Sequence, residues 1–75
     1  MADQTLDTKG LNCPLPILKT KKALNGMAAD TTIEVLSTDP GSVADFEAFC
    51  RTTGNPLLEQ SQDDNIYRFL IQKAG

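Results

Sequence analysis

The same signal for the start of a helix occurs twice in this chain, each time after a stretch typical of a strand. Pro14 and Pro40 each follow a residue that can cap a helix, and proline is favoured at the first helical position because its missing N–H would be unpaired there. Residues 4–8 precede the first signal, and the β-branched residues 31–37 precede the second. The first half of the chain therefore predicts the order β-α-β-α.

Apolar residues at helical spacing support both helices. The inner face of the first helix, over about residues 14–25, is formed by Ile17, Thr20, Leu24 and Met27. The inner face of the second is formed by Val43, Phe46, Phe49 and Cys50. Gly26 can end the first helix, whereas Gly54 can supply a left-handed cap to the second before Pro56 blocks its continuation.

The last part of the chain predicts a hairpin. Residues 57–62 and 66–73 are strand-like, and they are joined around Asp63, Asp64 and Asn65. The order β-α-β-α-β-β predicts an α/β two-layer sandwich, in which a mixed four-stranded sheet carries both helices on one face. A length of 75 residues allows one domain, residues 1–75, and no second.

Composition and charge narrow the classes of function. The polar residues 1–4 carry no secretory signal, and no apolar run approaches the length of a transmembrane helix. Two cysteines without an export signal predict free thiols in the cytoplasm. The net charge of −3 argues against a dedicated nucleic-acid binder. We therefore expect a cytoplasmic monomer that neither spans a membrane nor binds nucleic acid directly.

The chain contains no histidine. This removes most zinc-site patterns and every Cys-His or Ser-His-Asp catalytic arrangement within one chain. We expect no metal site and no cofactor, and the chemistry must depend on a thiol without an obvious proton shuttle.

Cys13 is the candidate nucleophile. The pattern predicts it as the N-cap of the first helix, where free N–H groups and the helix dipole favour thiolate. Pro14 and Pro16 remove two of those N–H groups and stiffen the backbone, so we expect only a moderate lowering of the Cys13 pKa. Gly10 ends the preceding strand and supports the same loop. The alternative is that Cys13 is merely a small apolar residue at a helix start.

The remaining candidates have plainer interpretations. Cys50 is expected to pack in the core, the alternative being a resolving thiol for Cys13. Asp39 is predicted as a helix N-cap, Asp45 as an ordinary surface charge, and Arg68 as an exposed strand residue.

A basic group lies shortly after the thiol. It consists of Lys19, Lys21 and Lys22. These lysines form either the solvated face of an amphipathic helix or a basic rim that docks acidic partners beside the thiol.

Several segments together resemble the TusA/SirA-like sulfur carrier family over nearly the whole chain. They are Leu6-Asp7, Gly10-Leu11, Cys13-Pro14-Leu15-Pro16, Asp39-Pro40, Phe49-Cys50-Arg51 and residues 67–71. The C-P-x-P motif is the specific part of the resemblance. Asn12 and Gln72 depart from it, because each stands where a basic residue is expected, so the choice of partner does not carry over.

The resemblance implies the same two-layer sandwich and a sulfurtransferase-type role for Cys13, which would accept sulfane sulfur as a persulfide. The implied donors are a cysteine desulfurase or a rhodanese-like protein. The implied acceptors are downstream relay proteins that serve tRNA thiolation, molybdenum-cofactor synthesis or oxidative sulfur metabolism.

Two other functions stay open at this point. One is a thiosulfate-handling protein that works beside a membrane transporter, as in a related branch of the family. The other is an RNA-binding module, because the predicted topology resembles the C-terminal domain of a bacterial translation initiation factor. The acidic balance and the few aromatic residues count against the latter.

Overall fold

The computed structural model describes residues 2–74, so Met1 and Gly75 lie outside the described residues. The elements, in chain order, are β1 (Gln4–Asp7), α1 (Leu15–Asn25), β2 (Thr32–Ser37), α2 (Ser42–Thr53), β3 (Leu57–Asp63) and β4 (Ile66–Gln72). The predicted order β-α-β-α-β-β is confirmed. Within residues 2–74, no helix is long and apolar enough to cross a membrane.

The four strands form one mixed sheet in the order β1-β2-β4-β3. β2 is parallel to β1 and antiparallel to β4, and β3 is antiparallel to β4. β1, β2 and β3 therefore run in the same direction, and each helix returns the chain from one of them to the next. Both helices consequently begin at the same edge of the sheet, where β1 and β2 end.

The hairpin between β3 and β4 closes as the sequence predicts. Asp63 pairs with Ile66, which leaves Asp64 and Asn65 as a two-residue turn. Asp64 has a φ of +57°, a left-handed conformation that Asp and Asn tolerate better than most residues.

The core lies between the sheet and the two helices. Phe46 of α2 stacks on Phe69 of β4 with ring centroids 4.5 Å apart. The other buried apolar members of the cluster are Leu24, Ile33, Val35, Cys50 and Ile71. Thr20 is also fully buried. Its hydroxyl donates to the Pro16 carbonyl at 2.8 Å, so burial does not leave this polar group without a partner. The predicted inner faces of both helices are confirmed.

Arg68 is not the exposed strand residue that the pattern predicts. It lies on the sheet face away from the helices, half-buried, and pairs with Glu34 and, at 3.2 Å, with Glu59. Glu34 and Glu59 are the register partners of Leu70, one from each neighbouring strand. The three charged side chains therefore surround Leu70, which is only 8% exposed on a face that no helix covers.

The start of α2 also differs from the prediction. Gly41 is the N-cap residue, and no side chain caps the helix. The carbonyl of Asp39 accepts the N–H of Ser42 at 3.0 Å, so residues 39–42 form a turn before the helix begins. The predicted end is confirmed, because Gly54 has a φ of +78° and its N–H donates to the Cys50 carbonyl.

Candidate functional site

Cys13 lies exposed in the loop that joins β1 to α1, but it is not the N-cap of α1. The peptide bond between Cys13 and Pro14 is cis, and the N–H of Leu15 donates to the Asn12 carbonyl at 2.9 Å. This turn places Pro14 at the N-cap, and the N–H of Leu18 donates to the Pro14 carbonyl at 3.0 Å. The prediction of Cys13 as N-cap and Pro14 as first helical residue is therefore wrong by one position.

The loop is fastened to the end of β2 by its own polar groups. The hydroxyl of Thr8 donates to the Leu36 carbonyl, and the N–H of Gly10 donates to the hydroxyl of Thr38 at 2.9 Å. Gly10 has a φ of +85°, a conformation that favours glycine over any residue with a side chain. These contacts give the thiol a fixed backbone although its side chain faces solvent.

Asp39 connects this loop to the start of α2. Its Oδ2 accepts the N–H of Cys13 at 2.9 Å, and its Oδ1 accepts the N–H of Gly41 at 3.1 Å. Asp39 therefore has a different role from the helix cap that the sequence predicts. One carboxylate holds two loops that are 26 residues apart in the chain.

An open groove runs from Cys13 between the two helices, with a volume of about 480 Å³. It is lined by Cys13, Pro14, Ile17, Leu18, Lys21, Asp45, Ala48, Phe49, Thr52 and Thr53. Leu18 is 53% exposed and Leu15, one turn earlier on the same helix, is 45% exposed. The thiol thus opens onto a groove whose lining is mostly apolar.

Of the three lysines predicted to dock partners, Lys21 lines the groove. It stands three residues after Leu18, on the same side of the helix. Lys19 and Lys22 are exposed on α1 but do not line the groove. Pro16, the last residue of the C-P-x-P motif, is fully buried in the first turn of the helix.

Two carboxylates raise the pKa of the Cys13 thiol above its ordinary value. The largest cause is the carboxylate of Asp45, which lines the same groove as Cys13 and, as a hydrogen-bond acceptor, favours the protonated thiol. Slight burial and the negative charges of Asp45 and Asp39 act in the same direction, because each disfavours thiolate. The predicted lowering of the pKa is therefore wrong.

The cause of that error is local. The thiol lies one residue before the N-cap, the N–H of Leu15 is occupied by the Asn12 carbonyl, and Pro16 has no N–H to offer. The start of α1 consequently provides little stabilisation of a thiolate at Cys13. Asp45 was interpreted as an ordinary surface charge, and no local pattern in the sequence signals its proximity to Cys13.

Cys50 differs from Cys13 in its exposure. It is 7% exposed within the core, and burial raises the pKa of its thiol to about 11. Both cysteines are free thiols. The prediction that Cys50 packs in the core is confirmed.

The chemistry available at this site is that of one exposed thiol. Among residues 2–74, no three His, Cys, Asp or Glu side chains are grouped to hold a metal ion. A thiol must lose its proton before it can attack sulfur. The site therefore offers a nucleophile on a fixed loop, a carboxylate that favours its protonated form, and a groove that can receive another molecule.

Known proteins that are similar to this chain are described as sulfurtransferases or sulfur carriers. The family model described as sulfurtransferase TusA matches residues 4–73. The chain is 53% identical over 72 residues to the sulfur carrier protein TusA of Allochromatium vinosum, covering 96% of this chain and 95% of that protein. It is 50% identical over 72 residues to a putative sulfur carrier protein of Neisseria meningitidis, covering 96% of this chain and 97% of that protein.

A solved structure supports the architecture. The crystal structure of a SirA-like protein from Desulfitobacterium hafniense superposes with a TM-score of 0.83, covering 96% of this chain and 99% of that one. Its sequence is 24% identical, so it bears on the fold alone. The two-layer sandwich predicted from the sequence is confirmed, and the match over residues 4–73 together with the 53% identity shows that this chain belongs to the TusA family of sulfur carrier proteins.

Proposed function

We propose that this sulfur carrier holds sulfane sulfur as a persulfide on Cys13 and passes it to a second protein. The observation that carries the proposal is the position of Cys13, an exposed thiol on a loop that hydrogen bonds fix at Gly10 and at Cys13 itself. A carrier must bring its sulfur into the sites of at least two other proteins, which a surface thiol at one end of a small domain can do.

The proposed transfer needs no cofactor and no oxidant. The Cys13 thiolate attacks the outer sulfur of a donor persulfide, R–S–SH, and forms a new S–S bond. The S–S bond of the donor breaks, and its inner sulfur leaves as a thiolate, R–S⁻. Cys13 then carries –S–SH. To deliver the sulfur, an acceptor thiolate attacks the outer sulfur of this persulfide, the S–S bond breaks, and Cys13 leaves as a thiolate.

The chain supplies the nucleophile and its supports, but no histidine to act as a base. Cys13 is the persulfide residue, Gly10 and Pro14 shape its loop, and Pro16 is buried in the first turn of the helix that follows. Because Asp45 favours the protonated thiol and the chain has no histidine, we propose that the proton of Cys13 passes to solvent or to a group on the donor. This division suits a carrier, because the partner protein then controls when the thiol reacts.

The proposed donor is a cysteine desulfurase or a rhodanese-like protein, and the proposed acceptors are relay proteins of tRNA thiolation, molybdenum-cofactor synthesis or oxidative sulfur metabolism. The exposed lysines of α1 are proposed to contact acidic groups of these proteins; they are Lys19, Lys21 and Lys22. We propose a monomer in the cytoplasm, where thiols stay reduced.

The thiosulfate alternative has the local charge against it. Thiosulfate is a dianion, and Asp45 and Asp39 place negative charge beside the thiol that would have to attack it. The RNA-binding alternative has the net charge of −3 against it, and no feature of the site favours it.

The test is mass spectrometry of the protein after incubation with a cysteine desulfurase and cysteine. We expect a mass increase of one sulfur atom that a reductant removes. Cys13→Ser should abolish the increase, whereas Cys50→Ser, which removes the buried thiol, should keep it. The proposal fails if the wild-type protein gains no sulfur or if Cys13→Ser still gains it.

A further inference from the structure

The groove between α1 and α2 has properties that the transfer of sulfur to Cys13 does not require. Its walls carry Ile17 and Leu18 from α1 and Ala48 and Phe49 from α2. Leu18 is 53% exposed, which is a large fraction for a leucine. It lies one turn from Leu15, which is 45% exposed. Leu18 and Ala48 are exposed beside the half-buried Ile17 and Phe49, and such an apolar surface is typical of one that a second molecule covers.

The two ends of this groove differ in charge. Asp45 stands in the first turn of α2, at the edge of the sheet where Cys13 lies. Lys21 stands in the second half of α1, and because both helices begin at the same edge, it lies farther from the thiol. The groove therefore carries a negative side chain beside the thiol and a positive one, Lys21, farther along.

We propose that the groove receives a segment of the sulfur-donating protein in which a cationic side chain neighbours the sulfur-bearing cysteine and an apolar side chain lies farther along. The cation faces Asp45, and the apolar side chain packs on Leu18. This inference rests on the proposed carrier function and names the chemistry of the donor segment. A second copy of this chain fits less well, because it carries the same net charge of −3.

The same arrangement would let a bound donor control the reactivity of the Cys13 thiol. In the free carrier, Asp45 favours the protonated form of Cys13. A cation that docks beside Asp45 offsets its negative charge and removes its preference for the protonated thiol. The carrier thiol would then be more reactive when the correct donor is bound than when it is free.

The first test uses small symmetrical disulfides that differ in charge. Cystamine is cationic, hydroxyethyl disulfide is neutral and dithiodiglycolate is anionic. The Cys13 thiolate attacks one sulfur, the S–S bond breaks, a mixed disulfide forms and the released thiolate takes up a proton. The ratio of two such rates on one protein does not depend on the fraction of thiolate.

We expect wild-type Cys13 to prefer cystamine over dithiodiglycolate by about tenfold at low ionic strength, after division by the same ratio for N-acetylcysteinamide. Asp45→Asn should lower this preference to about threefold, because Asp39 remains. Glu47→Gln is the matched control, since Glu47 is exposed on the same helix outside the groove, and it should leave the ratio unchanged. An equal preference in wild type and Asp45→Asn would overturn the cationic part of the proposal.

The second test uses the symmetrical disulfides of two peptides, Lys-Cys-Gly-Leu-Leu and Lys-Cys-Gly-Ser-Ser. The leucine peptide should react about fivefold faster with the wild-type protein, as partial burial of one leucine provides about 1 kcal/mol. Leu18→Asn should remove this advantage. Leu58→Asn should preserve it, because Leu58 is similarly exposed, at 47%, but stands on β3 away from the groove.

The two proposals fail in different ways. A sulfur adduct on Cys13 without selectivity for charge or for leucine would overturn this inference and leave the carrier function intact. Selective exchange without a sulfur adduct would overturn the carrier function instead. If Leu18→Asn and Leu58→Asn reduce the leucine advantage equally, the apolar part of the proposal is wrong.

Discussion

The backbone N–H of Cys13 donates to Oδ2 of Asp39 at 2.9 Å, and the second oxygen of the same carboxylate accepts the N–H of Gly41 at 3.1 Å. The reactive thiol is thus held by the loop that begins the other helix. A single side chain fixes the position of Cys13 relative to α2, and so relative to Asp45 and the groove.

Replacing Asp39 should loosen this connection. Asp39→Ala removes both acceptors, and we expect the free energy of unfolding to fall by about 1–2 kcal/mol, since each partly exposed hydrogen bond contributes about 0.5–1.5 kcal/mol. Asp39→Asn keeps one side-chain oxygen and should lose about half as much. Urea unfolding measures both values, and an unchanged stability in Asp39→Ala would show that the two hydrogen bonds are not maintained in solution.

Asp45 should control the reactivity of the thiol without a comparable role in stability. Because its carboxylate raises the pKa of Cys13, the rate of alkylation by iodoacetamide should still be rising above the pH at which a free cysteine reaches its plateau. Asp45→Asn removes the negative charge and should move the midpoint of the rate–pH profile to lower pH. At pH 7 the thiolate fraction, and with it the alkylation rate, should therefore increase.

The control for this experiment is Glu47→Gln, which removes a carboxylate from an exposed site of the same helix that does not line the groove. Its profile should coincide with that of the wild-type protein. A profile of Asp45→Asn that moves to higher pH would contradict the assignment of Asp45 as the group that raises the pKa of Cys13.

Cys13 and Asp45 show which features of the site can be predicted from the sequence and which cannot. The helices, the strands, the hairpin and the candidate nucleophile are all signalled by residues that are neighbours in the chain, so patterns of apolar spacing and turn residues predict them. The proximity of Asp45 to Cys13 depends on two helices that begin at the same edge of the sheet. That relationship exists only after the sheet has formed, and no short-range pattern contains it.

The exact start of α1 was missed for a related reason. A proline after a potential capping residue is a general signal, and it places Pro14 as the first helical residue. The turn from Asn12 to Leu15 instead occupies the N–H of Leu15 and puts Pro14 at the N-cap. This one-residue difference moves Cys13 out of the capping position and weakens the effect of the helix on its thiol.

The two cysteines should be distinguishable by their accessibility. Cys13 is exposed, whereas Cys50 is 7% exposed and burial raises the pKa of its thiol to about 11. Under native conditions at pH 8, a maleimide should modify one thiol per molecule within minutes, and peptide mapping should locate it at Cys13. Modification of the second thiol should require urea, and equal native rates for both would contradict the packing of Cys50.

The conformation of Gly10 gives a prediction that does not depend on contacts. Gly10 has a φ of +85°, and an added Cβ would meet no atom within 4 Å. Gly10→Ala should therefore lower the free energy of unfolding by about 1–2 kcal/mol through backbone conformation alone, because a left-handed residue with a Cβ costs that much. The loop of Cys13 is the segment that would carry the strain.

Gly26, the residue that ends α1, provides the matched comparison for Gly10. Its φ is −96°, which any residue can adopt, and the nearest atom to an added Cβ is the Ala23 carbonyl oxygen at 3.8 Å. Gly26→Ala should leave stability unchanged or raise it by about 0.4–1 kcal/mol by restricting the unfolded chain. Urea unfolding of both variants separates the two cases, and equal losses would show that Gly10 does not hold its positive φ in solution.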